Sequence, residues 1–304
     1  MERVVITGMG FLSPLGNDWA TVREALYQNR SAVRHMTAWD ETDLNTRVAA
    51  PVAPYTLDPE LFPRKRTRAM GRVALMAVKA SYDALVDAGL LGHPVLTSGD
   101  CGVAYGSSAG QPAAVAELAN LILTKTCRGI TATTYVRMMS HTAAVNIGIY
   151  FGLKGRIIPT SSACTSGSQG IGMAYEAIRF GRQKVMIAGG SEELDATDAA
   201  IFDTLFATSC RYNDMPDQTP RPFDKDRDGL VVGEGAGTLV LESLSHARAR
   251  GARIYAEVLG FGENSDGVHI TTPQSEQMGR AMELALADAG IRPEDVDCVN
   301  GHGA

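Results

Sequence analysis

The chain has 304 residues, of which 45% are hydrophobic and 20% are charged. This composition is that of a globular protein and excludes an intrinsically disordered chain, and the length is sufficient for two domains or one large α/β unit. The net charge of −6 argues against bulk attraction to nucleic acid or to an anionic membrane surface.

Apolar runs and helical spacings alternate along the chain, and turn residues separate them. In chain order, the pattern predicts strand 3–9, helix 67–88, strand 101–106, strand 155–160, helix 165–180, strand 184–189, strand 236–242, strand 253–261, helix 276–289 and strand 297–300. Strands that alternate with helices predict an α/β fold with a mostly parallel sheet.

The cysteines and the apolar runs bear on the location of the protein. Five cysteines occur, and no two of them form a Cys-x-x-Cys pair, so neither a disulfide framework nor a zinc site is indicated. The sequence has no run of 18 apolar residues and no basic-then-apolar leader. We therefore expect a cytoplasmic protein with no metal and with no membrane or nucleic-acid partner.

Three segments of the N-terminal part recur in the same order near the C-terminus. The pairs are 3–10 with 253–262, 70–89 with 278–290, and 100–102 with 297–299. Each similarity is weak alone, but the shared order predicts two duplicated βαβ halves. We expect one domain over 1–250 that carries the candidate nucleophile, and a second over 251–304 in which the repeat is incomplete.

Cys164 stands where a predicted strand gives way to a helix of small residues. Residues 161–167 read SSACTSG, and the helix is predicted over 165–180. A cysteine at a helix N-terminus faces the positive end of the helix dipole and unpaired backbone N–H groups, which favour a thiolate and can hold an oxyanion. A lone cysteine is also commonly a small core residue. From its position alone, Cys164 is therefore either a nucleophile or a core residue.

Two further motifs resemble functional sites. Residues 106–110 (GSSAG) match the G-x-S-x-G elbow of serine hydrolases, which makes Ser108 a candidate nucleophile. Pro112 stands where the elbow helix would start, and no acid and histidine pair is recognisable in the required order, so a turn after a strand is the better interpretation. The acidic run 224–229 begins like a calcium loop, but its twelfth position is Gly235, which favours an ordered turn.

Six segments, spread from the first residues to the last, carry a resemblance to one family. They are 3–16 (RVVITGMGFLSPLG), 163–172 (ACTSGSQGIG), 188–192 (AGGSE), 221–237 (RPFDKDRDGLVVGEGAG), 264–273 (NSDGVHITTP) and 299–304 (VNGHGA). Together they resemble the β-ketoacyl-acyl carrier protein synthases, in particular the elongating condensing enzymes of fatty acid and type II polyketide synthesis. The resemblance implies a thiolase-like fold, with duplicated βαβ halves layered α-β-α-β-α and the second half incomplete.

The family resemblance also implies an activity, that of a 3-oxoacyl-acyl carrier protein synthase. In this family a cysteine matching Cys164 takes an acyl group from a carrier-bound thioester, and malonyl-carrier then loses carbon dioxide and attacks the acyl-enzyme. His302 matches the first of two histidines that stabilise the enolate, and Thr271 matches a residue that contacts the pantetheine arm. The family's second histidine and its lysine have no match, which implies a chain truncated at its C-terminus. The alternatives are a noncatalytic or remnant family member and, remotely, a serine hydrolase that uses Ser108.

The partner implied by the resemblance is an acidic acyl carrier protein, which bears the substrates on phosphopantetheine, so that no separate cofactor is expected. Residues 63–68 (PRKRTR) are strongly basic in an otherwise acidic chain, and a positive patch steers an acidic partner. The candidate docking residues are Lys65, Arg66, Arg68 and Arg211. The alternatives for the basic run are a solvated helix start and a weak nucleic-acid contact. The segment 131–150 resembles a family segment at the dimer interface, which implies a homodimer.

Overall fold

In a computed structural model that describes residues 1–269 and 272–303, a six-stranded sheet lies between layers of helices. The strands are β1 (Val4–Leu12), β2 (Arg34–His35), β3 (Val48–Ala50), β4 (Cys101–Gly106), β5 (Ile157–Thr160), β6 (Val185–Glu192), β7 (Val232–Gly233), β8 (Gly235–Ser243) and β9 (Ala256–Val258). The helices are α1 (Trp19–Tyr27), α2 (Arg64–Thr67), α3 (Arg72–Asp87), α4 (Val95–Ser98), α5 (Pro112–Thr124), α6 (Ala132–Met138), α7 (Thr142–Phe151), α8 (Ser166–Arg179), α9 (Ala196–Thr204), α10 (Leu244–Ala249) and α11 (Ser275–Ala289).

The main sheet is mixed, with the strand order β5-β4-β6-β8-β1-β9. Strand β4 runs parallel to β5 and β6, whereas β8 runs antiparallel to both β6 and β1. The prediction of a mostly parallel sheet is therefore wrong. A parallel neighbour requires a crossover that returns the chain to the starting end of the sheet. The chain between β6 and β8 makes no such return, so β8 runs back alongside β6.

Helices cover both faces of this sheet, because successive side chains of its buried strands point to opposite sides. Val103 and Ile187 pack under α3 and α7 on one face. Their neighbours Ala104 and Met186 pack under α8 on the other. Throughout the two described ranges, each helix is too short or too polar to traverse a lipid bilayer.

The sequence repeat corresponds to a repeated contact between a strand and a helix. A Cβ on Gly8 would lie 2.3 Å from the carbonyl oxygen of Ala84 in α3, and one on Gly260 would lie 2.6 Å from that of Ala285 in α11. Only glycine permits this approach, which explains why both copies retain it. The segment 259–262 thus lies between α8 and α11, where the family resemblance places a second β layer. Among the described residues this segment forms no strand.

The described part of the second copy is less regular than its sequence predicts. The strand expected over 253–261 is limited to β9, which pairs with β1. Residues 297–300, expected to form a strand, form none, and the Val299 side chain is 72% exposed. A strand exists only through backbone pairing with a neighbour, and these residues have no such neighbour among the described strands. The division of the chain into domains at residue 250 stays a prediction.

Candidate active site

Cys164 lies in a tight turn between the end of β5 and the start of α8. Thr160 Oγ1 donates to the carbonyl oxygen of Ser166 at 2.7 Å, and Ser162 N donates to Ser166 Oγ at 2.9 Å. Ser166 N and Oγ in turn donate to the carbonyl oxygen of Ala163, at 3.0 and 2.6 Å. Hydrogen bonds therefore close the turn on both sides of the cysteine.

The residue before the cysteine has a strained backbone. Ala163 has a φ of 51°, in the left-handed region that residues with a Cβ rarely adopt. Such a conformation persists only where its surroundings enforce it, as the bonds to Ser166 do here. The turn presents an exposed Cys164 just before the N-terminus of α8, where the helix dipole is positive. Because the thiol is exposed, the interpretation of Cys164 as a core residue is wrong.

The G-x-S-x-G segment forms a turn around the carboxylate of Glu192. Ser107 Oγ donates to Glu192 Oε1 at 3.0 Å, and the backbone N–H groups of Ser108 and Ala109 donate to the same carboxylate at 2.5 and 3.3 Å. The expectation that Pro112 interrupts a helix is wrong, because α5 begins at Pro112, where a missing N–H costs nothing. Among the described residues Ser108 Oγ has no hydrogen bond to a histidine, so the hydrolase alternative is not favoured. The turn instead donates hydrogen bonds to the Glu192 carboxylate.

His302 lies on the loop after α11, between two glycines. A Cβ on Gly301 would lie 2.8 Å from the Phe223 ring, and one on Gly303 would lie 2.7 Å from Pro222. The loop that carries His302 therefore rests on the Pro222-Phe223 pair. The imidazole itself is exposed.

Charged side chains stabilise the turn at residues 221–224, on which this loop rests. Phe223 has a φ of 65°, and Arg221 Nη2 donates to Asp224 Oδ2 at 3.2 Å across it. The hydrogen bond from the Asp226 N–H, together with Arg221, holds the pKa of Asp224 below its usual value. These bonds give the calcium-like run 224–229 its role as an ordered turn. In the part of the chain that the structure describes, no group of three acidic, histidine or cysteine residues is placed to hold a metal ion.

The two predicted catalytic residues come from separate elements. Cys164 precedes α8 and His302 follows α11, and within residues 1–269 and 272–303 no hydrogen bond joins the thiol to the imidazole. Their cooperation in one site stays a prediction. Thr271, the predicted contact for the pantetheine arm, lies outside the described residues.

Two of the four predicted docking residues have free charges. Lys65, on the short helix α2, and Arg68, at its end, are exposed. Within the described ranges neither side chain forms an ion pair or a hydrogen bond. Both charges are therefore available to a partner.

The other two docking residues are held by the fold. The Arg66 guanidinium lies 4.1 Å above the centre of the Tyr150 ring and donates to the Tyr150 carbonyl oxygen. Arg211 Nη2 donates to the carbonyl oxygen of Asp226 at 2.9 Å, and Arg211 Nε lies 3.9 Å from the Asp228 carboxylate. Both guanidinium groups support local structure, a role that the charge pattern alone does not reveal.

The sequence did not predict a cluster of charged side chains around Glu234, the residue just before β8. Arg72 Nη2 donates to Glu234 Oε2 at 2.9 Å, and the Val52 N–H donates to the same oxygen at 3.1 Å. Burial acts to raise the pKa of Glu234, but these hydrogen bonds outweigh it and lower the pKa. Nearby, burial raises the pKa of Glu193 to about 7, and Glu193 Oε2 has no hydrogen-bond partner. An acid between two glycines in an apolar run is the only sequence signal of this cluster.

Glu193 gives the folded chain a stability that depends on pH. Its pKa is higher in the folded state than in the unfolded state, so folding is opposed increasingly as pH rises from about 4.5 towards 7. We expect Glu193→Gln to raise the free energy of unfolding at pH 8 by about 1–2 kcal/mol, after allowing for partial solvent screening. Urea unfolding at pH 8 and pH 4.5 measures the difference. An equal effect at both pH values would contradict the assignment, and Glu283→Gln, on an exposed face of α11, is the control.

The layered fold and the exposed cysteine before a central helix define a thiolase-like architecture of the condensing-enzyme type. Two family models match the chain, "Beta-ketoacyl synthase, N-terminal domain" over residues 1–247 and "Beta-ketoacyl synthase, C-terminal domain" over residues 255–304. The chain therefore belongs to the β-ketoacyl synthase family.

Individual relatives support the same placement. The chain is 38% identical to the 3-oxoacyl-[acyl-carrier-protein] synthase 2 of Vibrio cholerae over 99% of its own length and 73% of that protein. A crystal structure of a β-ketoacyl synthase from Burkholderia phymatum is 53% identical, with a TM-score of 0.97 over 100% of this chain and 74% of that one. A type II polyketide ketosynthase solved with its acyl-carrier protein is 29% identical, with a TM-score of 0.85 over 99% and 73% of the two chains.

Proposed function

We propose that the chain is a 3-oxoacyl-acyl carrier protein synthase, an acyltransferase that extends an acyl chain by decarboxylative Claisen condensation. The observation that carries this proposal is the exposed Cys164, presented by a strained, hydrogen-bonded turn at the N-terminus of α8. The names of the relatives and the family assignment support the same reaction.

In the first half-reaction, Cys164 Sγ attacks the carbonyl carbon of an acyl thioester. The tetrahedral oxyanion is stabilised by backbone N–H groups at the start of α8, which have no helical partners. Collapse of this intermediate expels the carrier's pantetheine thiol, which takes up the proton released from Cys164. The acyl group is then held as a thioester on the enzyme.

In the second half-reaction, malonyl-carrier loses carbon dioxide, and its electron pair forms an enolate. His302 donates a hydrogen bond to the enolate oxygen. The carbanion attacks the acyl thioester on Cys164, the 3-oxoacyl carrier is released, and the thiolate returns. No redox change occurs in these steps, so we propose no resident cofactor beyond the phosphopantetheine of the carrier, with Thr271 as a contact for that arm.

The proposed partner is an acyl carrier protein, and the proposed assembly is a homodimer in the cytoplasm. An acidic carrier complements the free charges of Lys65 and Arg68, and the solved polyketide ketosynthase is in complex with its own carrier. Exposed apolar side chains on α5 and α6, among them Leu123 and Tyr135, support a subunit interface there. The five cysteines are all free thiols, which suits a reducing compartment.

Carrier docking predicts a kinetic effect of the two free charges, Lys65 and Arg68. Lys65→Glu combined with Arg68→Glu is expected to raise KM for an acyl-carrier substrate roughly tenfold at low salt, because steering by charge is lost. KM for a small acyl thioester is expected to change little. Steady-state kinetics with both substrates checks this.

The control for this prediction is Arg23→Glu with Arg182→Glu, which makes the same change in net charge at exposed positions outside the basic run. An equal rise in KM for the control, or for the small thioester, would contradict docking through Lys65 and Arg68.

Product analysis tests the proposed function itself. The chain is incubated with an acyl-carrier and malonyl-carrier, and mass spectrometry follows acylation of the protein and formation of a 3-oxoacyl carrier. We expect both. Failure to take up acyl groups would favour the noncatalytic alternative, whereas uptake without a condensed product would confine the activity to the half-reaction of Cys164.

A further inference from the structure

Gln169 links the nucleophile turn to a segment of the C-terminal part of the chain. It lies on the first turn of α8, five residues after Cys164, and is half-buried. Ser162 Oγ donates to Gln169 Oε1 at 2.9 Å, and Gln169 Nε2 donates to Glu263 Oε2 at 3.1 Å. One amide thus contacts both the turn that carries the candidate nucleophile and a residue almost one hundred positions later.

The chemistry of the three side chains fixes the direction of this chain of hydrogen bonds. An ionised carboxylate accepts hydrogen bonds only, so the residue that contacts Glu263 must donate. The Ser162 hydroxyl donates, so the same residue must also accept. An amide at position 169 satisfies both requirements, whereas a carboxylate there would face the carboxylate of Glu263 with like charge.

Glu263 belongs to a segment that is fixed at several points, which we call the facing segment (residues 259–269). Tyr175 OH donates to the Leu259 carbonyl oxygen at 3.0 Å, which ties the start of the segment to α8. Further along, Asn264 Nδ2 donates to the carbonyl oxygen of Gln277 in α11 at 2.9 Å. The Asp266 carboxylate then accepts the N–H of Gln274, at the start of α11, at 3.3 Å.

Gln169 joins the facing segment to the nucleophile turn by a side-chain hydrogen bond. Other contacts tie the segment to the middle of α8, where Phe261 lies against Gly172, and to α11. Along α8, Gln169 is closer to Cys164 than Gly172 or Tyr175 is. In the proposed function the pantetheine arm of a long substrate contacts Thr271, which follows the facing segment in the sequence, and a small shift between that contact and the thiol lowers reactivity strongly. A short substrate needs only the thiol and its turn.

We propose that Gln169 is a positioning residue that holds the facing segment at a set distance from Cys164, and that it thereby favours acyl thioesters with a pantetheine arm over short acyl thioesters. This inference rests on the proposed function, in which Cys164 accepts an acyl group from such a thioester. Gln169 itself contacts no reacting atom.

Exchanging the two side chains tests this link. Gln169→Glu places two carboxylates together and is expected to lower the ratio of kcat/KM for acyl-pantetheine to that for acyl-N-acetylcysteamine roughly tenfold, the scale of one hydrogen bond to a charged group. The double variant Gln169→Glu, Glu263→Gln restores a donor at 263 and an acceptor at 169, and is expected to recover the ratio. Ser168→Ala, an exposed neighbour whose hydroxyl donates to the Thr165 carbonyl oxygen, is the control.

Hydrogen exchange of the peptide over 259–268 gives a second readout that needs no turnover. Exchange is expected to be faster in Gln169→Glu and to return to that of the parent chain in the double variant. An unchanged ratio together with unchanged exchange, or a double variant that recovers neither, overturns the proposal. If the parent chain takes up no acyl group from either thioester, the proposed function fails, and the exchange measurement still decides whether Gln169 positions the segment.

Discussion

Replacing Cys164 with serine is expected to abolish acyl transfer to the protein, with a loss on the order of 10³-fold or more. Removal of the nucleophile from a cooperative site typically lowers the rate by this factor, because no other group there forms the covalent bond to the acyl carbon. A hydroxyl is also a far weaker nucleophile than a thiol at neutral pH. The gain in protein mass after incubation with an acyl-carrier thioester measures the transfer.

The other exposed cysteines supply the matched control for this substitution. Cys127 and Cys298 are exposed like Cys164, but neither stands at the N-terminus of a helix after a left-handed residue. Cys127→Ser and Cys298→Ser should therefore retain acyl uptake. Persistence of the mass gain in Cys164→Ser, or its loss in either control, would show that the acyl group is carried elsewhere.

Replacing Glu242 with glutamine is expected to lower the free energy of unfolding by about 3–5 kcal/mol, the cost of leaving a buried charge without its partner. Glu242 is fully buried in β8. Its carboxylate accepts hydrogen bonds from Arg250 Nε at 3.0 Å and from Thr7 Oγ1 at 2.5 Å, and lies 2.5 Å from His246 Nδ1. Glutamine keeps the shape but removes the charge that balances Arg250.

The pH dependence of this effect has a definite sign. Burial acts to raise the pKa of Glu242, but the bonds from Arg250, Thr7 and His246 outweigh it and hold the pKa below its usual value. The ionised Glu242 carboxylate therefore stabilises the folded state fully at pH values above its pKa in the unfolded chain. This stabilisation is lost as the pH falls through its lower pKa in the folded chain. The difference in unfolding free energy between Glu242→Gln and the parent chain should shrink in acid.

Urea unfolding at pH 7 and at pH 3.5 measures both parts of the Glu242 prediction. Glu257→Gln is the control, because its ion pair with Arg3 is at the surface, where the Arg3 side chain is 61% exposed. Its loss should cost less than about 1 kcal/mol. Equal costs for the two variants would contradict a structural role for the buried carboxylate.

The elements around the nucleophile were predictable from the sequence because their signals are local. The fully buried run 101–106 gives β4 with both ends as predicted, and α8 begins and ends within one residue of its prediction. The signal at Cys164 lies within about a dozen consecutive residues, in which an apolar run ends and a cysteine and small residues follow. The exposure of the thiol and the left-handed Ala163 depend on the Ser166 contacts and have no such signal.

Two of the wrong predictions concern pairing between distant segments. The direction of β8 depends on which strands it joins, and an apolar run has the same pattern in either direction. Residues 297–300 have the composition of a strand, but composition supplies no neighbour. Arg72 and Glu234 form an ion pair although 162 positions separate them, so no local pattern predicts their contact.

The activation of Cys164 by its own turn is the central claim, and competitive alkylation tests it most directly. The folded chain is treated with limiting iodoacetamide, and mass spectrometry of peptides compares the alkylation rates of the three exposed thiols, Cys127, Cys164 and Cys298, in one sample. The account predicts that Cys164 reacts roughly tenfold faster or more, since of the three thiols only this one directly precedes a helix N-terminus, where the dipole is positive. A rate for Cys164 equal to or below those of Cys127 and Cys298 would contradict it.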